Sequence, residues 1–148
     1  MKKGDEKVAA DIQQYGWHCL SVAPRVGEEG AHFTYTIGLN ASYKHPELMI
    51  FGLGREKSHD VLTECADMIK AGTRFPTNQR VSDVLARDFD VIFRPIRKEC
   101  YGEYLGTATR YYRHHDFDAY VLFWPDKDNK FVWESPSLST QAEALNVV

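Results

Sequence analysis

The sequence is poor in cysteine. Cys19, Cys65 and Cys100 are far apart in the chain, and no CxxC pair occurs. Zinc knuckles and thioredoxin-like redox motifs both require such a pair, so the sequence gives no support for either. An odd number of cysteines, each set in an apolar stretch, predicts free thiols that pack as small hydrophobic side chains.

Long apolar runs and a surplus of positive charge are also missing. No stretch approaches the roughly 20 apolar residues of a membrane-spanning helix, and the opening MKKGDEK leads into no apolar signal region. The 18 Lys and Arg residues are outnumbered by 21 Asp and Glu, whereas nucleic-acid-binding surfaces carry a basic excess. We therefore expect a cytoplasmic protein with neither a membrane nor a nucleic-acid polymer as its partner.

What the sequence contains is typical of a globular domain. Hydrophobic residues make up 43% and charged residues 26%, a balance that argues against disorder. A chain of 148 residues fits one domain, with its core at about 5–134 and a polar tail at 135–148. Six apolar strands are predicted, at 17–23, 32–39, 47–53, 90–96, 120–124 and 130–134. Their short connections favour an α+β fold with an antiparallel or mixed sheet, and closure into a barrel is one alternative.

Three helices are predicted from apolar residues that recur at helical spacing. The first has Asp5 as its N-cap and ends at Gly16, and the second has Ser58 as its N-cap and ends at Gly72. The third covers residues 98–112, where helical spacing relates Tyr101, Tyr104, Leu105, Ala108, Tyr111 and Tyr112. We expect all three helices to pack against the sheet.

The segment 32–54 is the most informative part of the chain. In its first strand, polar or small residues alternate with apolar ones, so that one face of the strand carries potential ligand groups. These groups are His32, Thr34, Thr36 and Gly38. The loop that follows ends in His45-Pro46-Glu47, where the proline fixes the backbone between an imidazole and a carboxylate. The pair suits acid–base catalysis, and the simpler alternative is a rigid strand entry.

A hairpin is predicted across the turn at 125–129, with Trp124 and Trp133 facing each other. Cross-strand aromatic pairing is the simpler role for the two rings. The alternative is a clamp for a planar ligand, to which Tyr35 or Tyr112 contributes and in which Arg113 or Arg55 binds an anionic group.

An anion site is also predicted where the segment GLGREKSHD leads from a strand into the second helix. A helix N-terminus presents free N–H groups, and Arg55, Ser58 and His59 lie there. The chain has no GxxxxGK[ST] phosphate loop. It also lacks metal-binding spacing, since His114 and His115 are adjacent and point to opposite faces of an extended chain, so no metal site is predicted.

Four short motifs stand out in the chain: YGW at 15–17, FTYTIGL at 33–39, HPEL at 45–48 and WPD at 124–126. Together they resemble a bacterial and phage family known only as a domain of unknown function, DUF4262. The resemblance runs from about residue 13 to 134, although FVWE at 131–134 departs from the family's Gly-x-x-Pro-Trp-Glu. It implies a cytoplasmic single domain and supplies no reaction. The family's phage members suggest that the domain sequesters a host signal.

Three hypotheses remain open. The favoured one is a domain that binds a planar or anionic, nucleotide-like small molecule, because no catalytic constellation is complete. The second is an enzyme, either a hydrolase that uses His45 and Glu47 or a flavin-dependent oxidoreductase, since the order of elements resembles the flavin-binding split barrel. The third is a homo-oligomeric interaction module, and no cofactor is predicted outside the flavin alternative. The candidate ligand-binding residues are His32, Tyr35, Thr36, His45, Arg55, His59, Arg113, Trp124 and Trp133.

Overall fold

A mixed sheet of six strands forms the centre of the computed structural model, which describes residues 3–23 and 32–148. The strands are β1 His18–Val22, β2 Phe33–Ile37, β3 Glu47–Phe51, β4 Arg80–Val81, β5 Val91–Pro95 and β6 Ala119–Phe123. Their spatial order is β1-β2-β3-β6-β5-β4. Strands β3 and β6 run parallel, whereas the other four neighbouring pairs are antiparallel.

Helices connect these strands and cover both faces of the sheet. They are α1 Lys3–Tyr15, α2 Leu39–Tyr43, α3 Arg55–Lys70, α4 Tyr101–Tyr104 and α5 Gly106–Tyr112, with 3₁₀ segments at Lys98–Cys100 and Pro136–Asn146. Among residues 3–23 and 32–148, no helix has both the length and the apolar character needed to cross a bilayer.

The two faces of the sheet carry separate apolar cores. On the first face, Phe33 and Tyr35 of β2 belong to a cluster with residues of α1, α4, α5 and the C-terminal 3₁₀ segment. On the second face, Leu48 and Ile50 of β3 belong to a cluster with the buried side of α3. Because both faces are covered, every residue of β2 and β3 is buried. The predicted α+β class, with about six strands and packed helices, is confirmed.

The barrel alternative is wrong, because the sheet is open. Strands β1 and β4 stand at opposite ends of the strand order and do not pair with each other. The polar face of β2 is also closed to solvent, since Thr34 and Thr36 expose only 3% and 0% of their surface beneath α3. The Thr36 hydroxyl donates to Glu47, and the Thr34 hydroxyl lies 3.1 Å from that of Ser21.

The strand predicted at 32–39 ends early, and the loop after it contains a helix. Gly38 takes a φ of +115°, and a Cβ on it would lie 2.9 Å from the carbonyl oxygen of Gly16, so glycine alone fits this corner. Helix α2 starts immediately afterwards. Its sequence, LNASY, has no local helix signal, which explains why a polar loop was predicted.

Both predicted N-caps are wrong by several residues. Helix α1 begins at Lys3, so Asp5 lies in its first turn, where its carboxylate binds Arg110 of α5. Helix α3 begins at Arg55, so Ser58 lies inside it and donates its hydroxyl to the Leu53 carbonyl. The predicted ends are closer, because α1 stops directly before Gly16 and α3 stops two residues before Gly72.

The second half of the chain departs further from the prediction. The helix predicted at 98–112 is divided at Leu105, whose φ of −116° and ψ of 36° are not helical. Residues 130–134 form a turn and not a strand, so the predicted hairpin is wrong, and the short strand β4 supplies the sixth strand. The predicted polar tail buries Leu138, Gln141 and Ala144. The turn predicted at 24–30 lies outside the described residues.

Candidate functional site

A buried carboxylate connects several elements next to β3. Glu47 exposes 0% of its surface and accepts hydrogen bonds from Thr36 Oγ1 at 2.8 Å and from the N–H groups that begin α2. Those N–H groups belong to Gly38, Leu39 and Asn40, at 3.0 to 3.2 Å. The first backbone N–H groups of a helix have no partner within the helix. Glu47 therefore caps α2 from the first residue of β3.

Tyr112, at the end of α5, completes this cluster. Its hydroxyl donates to Glu47 Oε2 and accepts from the N–H groups of Gly38 and Ala41 at 3.1 and 3.3 Å. Burial raises the pKa of Glu47, while the hydrogen bonds from Tyr112, Thr36 and the backbone lower it. Burial also raises the pKa of Tyr112, and the carboxylate beside it adds to the rise. This arrangement fixes the corner between β2 and α2.

His45 is held as a neutral imidazole. With 1% of its surface exposed, its Nδ1 donates to the Pro46 carbonyl at 2.8 Å and its Nε2 accepts from the Phe75 N–H at 3.2 Å. Burial lowers the pKa of the ring, and the Pro46 carbonyl partly offsets that effect. His45 and Glu47 share no hydrogen bond. Their side chains serve different parts of the fold.

Three of the predicted ligand-binding residues line two neighbouring hollows over β1 and β2 that share Ser21 and Arg55: His32 lines one hollow, His59 lines the other and Arg55 lines both. We name this region the Arg55 groove: it is lined by Cys19, Ser21, His32, Thr34, Arg55 and His59. Its floor is the β1–β2 pair, in which Ser21 stands opposite Thr34, and their hydroxyls are 3.1 Å apart. Its wall is the start of α3, which carries Arg55 and, one turn later, His59.

The ionisable side chains of the groove differ in the contacts that they make. Arg55 is exposed and forms no ion pair with any residue in the described ranges. The ring of His59 is stacked on Trp17, with the two ring centroids 6.4 Å apart. Glu56 also lines the groove, at its exposed edge. Burial raises the pKa of Cys19 to about 11, so this thiol is neutral at pH 7 and is a poor nucleophile.

A second cleft of about 530 Å³ adjoins the groove and shares His32 with it. We name it the Thr140 cleft: Gly52, Leu53 and Gly54 line one side, and Ser139, Thr140 and Glu143 line the other. Sequence reasoning missed these last three residues because the tail has no regular apolar period. The signal that was available is Gly52-x-Gly54, where two residues without side chains leave room for a neighbour.

The remaining predicted site residues lie elsewhere. Tyr35 is 1% exposed, and its hydroxyl lies next to Thr107 and the Ala108 backbone of α5. Thr36 Oγ1 donates to Glu47 and accepts from the Leu48 N–H at 2.9 Å. Both of these side chains are therefore committed to internal contacts.

The two tryptophans are on opposite faces of the sheet. Trp124 packs against the α3 side, and its Nε1 donates to the Phe51 carbonyl at 2.9 Å. Trp133 lies on the other side against Phe123 and is 38% exposed. The predicted face-to-face pair is therefore wrong. Arg113 lines a separate groove between α1 and α5.

The adjacent histidines also have local partners. His114 Nδ1 accepts from the Asp116 N–H at 3.0 Å, and the ring of His115 packs beside Tyr101. Over the ranges that the structure describes, no three His, Cys, Asp or Glu side chains are grouped as metal ligands.

Comparisons with known proteins place the chain in one family. No curated protein and no solved structure matches it. The model of one family, described as Domain of unknown function (DUF4262), matches residues 11–137. The matched region contains β1 to β6, the Glu47 cluster and the Arg55 groove, and it includes the motifs on which the resemblance was based. The chain belongs to the DUF4262 family.

Proposed function

We propose that this domain binds a small anionic ligand in the Arg55 groove. The observation that supports the proposal is the position of Arg55, an exposed guanidinium that lines the groove above β1 and β2 with no ion-pair partner among the described residues. Here the side chain lies over a concave surface that also contains hydroxyl and imidazole groups.

The chemistry of the groove suits an oxyanion such as phosphate. A guanidinium presents its N–H donors in a planar fork that matches two oxygens of a phosphate or carboxylate. The exposed hydroxyl of Ser21 adds a further donor, and His32 and His59 add imidazoles at the two sides. The first turn of α3, a helix of 16 residues, adds backbone N–H groups that favour negative charge.

The groove has a rigid support. Its floor is a regular antiparallel pair, and Thr34, which stands opposite Ser21, is 3% exposed. A ligand that binds there does not have to order the floor first, and pre-organisation of this kind favours affinity. The predicted aromatic clamp is not part of the proposal, because Trp124 and Trp133 face opposite ways.

The catalytic alternatives find less support in the geometry. Both nitrogens of His45 are hydrogen-bonded, and Glu47 is surrounded by five donors. Neither side chain faces the groove. The flavin and homo-oligomer hypotheses stay predictions, which a visible absorption spectrum and a native mass spectrum of the purified protein test.

Calorimetric titration with inorganic phosphate and with pyrophosphate tests the proposal. We expect Arg55→Gln to weaken binding about tenfold or more, since hydrogen bonds to charged groups contribute roughly 1.5–3 kcal/mol. Lys57→Gln is the matched control, because it removes one positive charge from the same turn of α3 at a residue outside the groove. Equal affinities for the wild type and Arg55→Gln, or no binding by the wild type, would refute the proposal.

A further inference from the structure

The Arg55 groove and the Thr140 cleft meet at His32, yet their chemistry differs. The groove contains the guanidinium of Arg55. The cleft contains the hydroxyls of Ser139 and Thr140 and the carboxylate of Glu143. A ligand that occupies both must therefore have two chemically different ends.

We infer that the ligand is an organic monophosphate whose phosphate lies at Arg55 and whose neutral part, carrying hydroxyl or amine donors, lies in the Thr140 cleft. This inference rests on the proposed anion-binding function and specifies its ligand class. A sugar phosphate and a nucleotide share this chemistry, and the test below distinguishes them.

Glu143 determines the orientation in which a ligand binds. A carboxylate repels a phosphate and accepts hydrogen bonds from hydroxyl and amine groups. The hydroxyl of Tyr104 donates to Glu143 at 3.2 Å, which helps to hold the carboxylate at the cleft. The anionic end of a ligand is therefore favoured at Arg55 and disfavoured at Glu143.

The size and the walls of the cleft are suitable for a sugar or nucleoside. Its volume of about 530 Å³ lies within the usual range for small-molecule sites. Gly52 and Gly54 present bare backbone on one side. The opposite side is firmly placed, because a Cβ on Gly52 would lie only 2.4 Å from the Thr140 carbonyl oxygen. The 3₁₀ segment Pro136–Asn146 therefore packs directly on the loop between β3 and α3.

Calorimetry with four probes tests the inference: inorganic phosphate, adenosine, AMP and ribose 5-phosphate. We expect at least one organic phosphate to bind ten times more tightly than inorganic phosphate. Glu143→Gln and Thr140→Val should reduce that ratio towards one. Glu64→Gln, an exposed change on α3 outside both clefts, is the charge-matched control for Glu143→Gln. Thr140→Val keeps the carboxylate and so separates a loss of ligand contacts from a disturbed Tyr104–Glu143 bond.

The outcomes separate the two proposals. Arg55-dependent binding of inorganic phosphate, with no gain for either organic phosphate, would overturn this inference and leave the proposed function standing. Binding that does not depend on Arg55 would overturn both. Adenosine that binds as tightly as AMP would overturn the placement of the phosphate. Equal binding of ribose 5-phosphate and AMP would support a sugar phosphate, and tighter binding of AMP would support a nucleotide.

Discussion

Tyr112 donates its phenolic hydrogen to the buried carboxylate of Glu47, which lies 65 positions earlier in the chain. The same hydroxyl accepts from two N–H groups at the start of α2. One oxygen atom thus joins the end of α5 to the corner after β2. This relationship leads to the first prediction.

Tyr112→Phe is expected to lower the free energy of unfolding by roughly 1.5–3 kcal/mol, because it removes a donor to a charged acceptor. Urea denaturation followed by circular dichroism measures the loss. Tyr111→Phe is the matched control, since it removes a hydroxyl from the adjacent residue of α5 that forms no hydrogen bond within the described residues. A difference between the two variants below about 0.5 kcal/mol would show that the Tyr112 hydroxyl is not needed.

Glu47→Gln, combined with Tyr112→Phe, measures the coupling between the two residues. Contacting residues in one hydrogen-bond network show interaction energies of roughly 0.5–3 kcal/mol in such a double-mutant cycle. We expect a value in that range, with the double variant less destabilised than the sum of the single ones. If the destabilisations of the two single variants simply add up, Glu47 and Tyr112 do not interact and this prediction is wrong.

His45 is expected to make stability depend on pH below neutrality. Burial lowers the pKa of His45 in the folded protein, so below a pH of about 6.5 the unfolded chain binds more protons at this residue than the folded protein does. The stabilisation that neutral His45 provides is therefore complete above that pH and is lost as the pH falls through it. Unfolding free energies of the wild type and His45→Gln, measured from pH 8 to 5.5, should converge towards the acidic end. A constant difference would contradict this prediction.

Gly52→Ala is expected to destabilise the protein by about 1–2 kcal/mol or more. The φ of Gly52 is +76°, which costs an L-residue energy, and the added Cβ would overlap the Thr140 backbone. Gly102→Ala is the control, because Gly102 lies in α4 and a Cβ on it would meet open space. That change should be neutral or stabilising by up to about 1 kcal/mol. Thermal denaturation of both variants tests the pair, and a stable Gly52→Ala would show that the 3₁₀ segment does not pack as described.

Replacement of Arg94 is expected to change the fluorescence emission of Trp133. Its guanidinium lies 4.1 Å from the Trp133 ring centroid, and cation–π contacts at exposed sites contribute roughly 0.5–1 kcal/mol. Arg94→Gln should therefore lose about that much stability and change the emission spectrum. Arg55→Gln, which removes an arginine from the other side of the sheet, should leave the spectrum as it is. Identical spectra for the two variants would contradict the stacked contact.

The sequence predicts those parts of the fold that local patterns specify. The apolar alternation in β2 and the apolar stripe of α3 were sufficient to find both elements. The five residues of α2 were not found because their N-terminal cap is Glu47, a residue beyond the helix that reaches it only in the folded chain. The hairpin at Trp124 was predicted wrongly because turn composition does not reveal that Trp133 packs back onto Phe123.

The same distinction between local patterns and long-range contacts applies to the candidate site. Arg55 and His59 were predicted because they follow a strand-to-helix junction, which is a local signal. His32 was predicted from alternation along its strand, and in the structure it lines one hollow together with Arg55. Thr140 and Glu143 were missed because they reach the site through the packing of a distant segment on Gly52. No pattern within the segment itself indicates that contact.

The parallel pairing of β3 with β6 bears on the order in which the chain folds. Strands β1, β2 and β3 pair antiparallel with their neighbours in sequence, and so do β4, β5 and β6. The sheet thus consists of two sequence-local halves, and the seam between them aligns Glu47 with Ala119. Pairing β3 with β6 closes the long stretch of chain between them, and this closure is entropically costly. The β3–β6 pair should therefore form in the rate-limiting step. Substitutions along it should slow refolding, whereas substitutions at the outer strands should mainly speed unfolding.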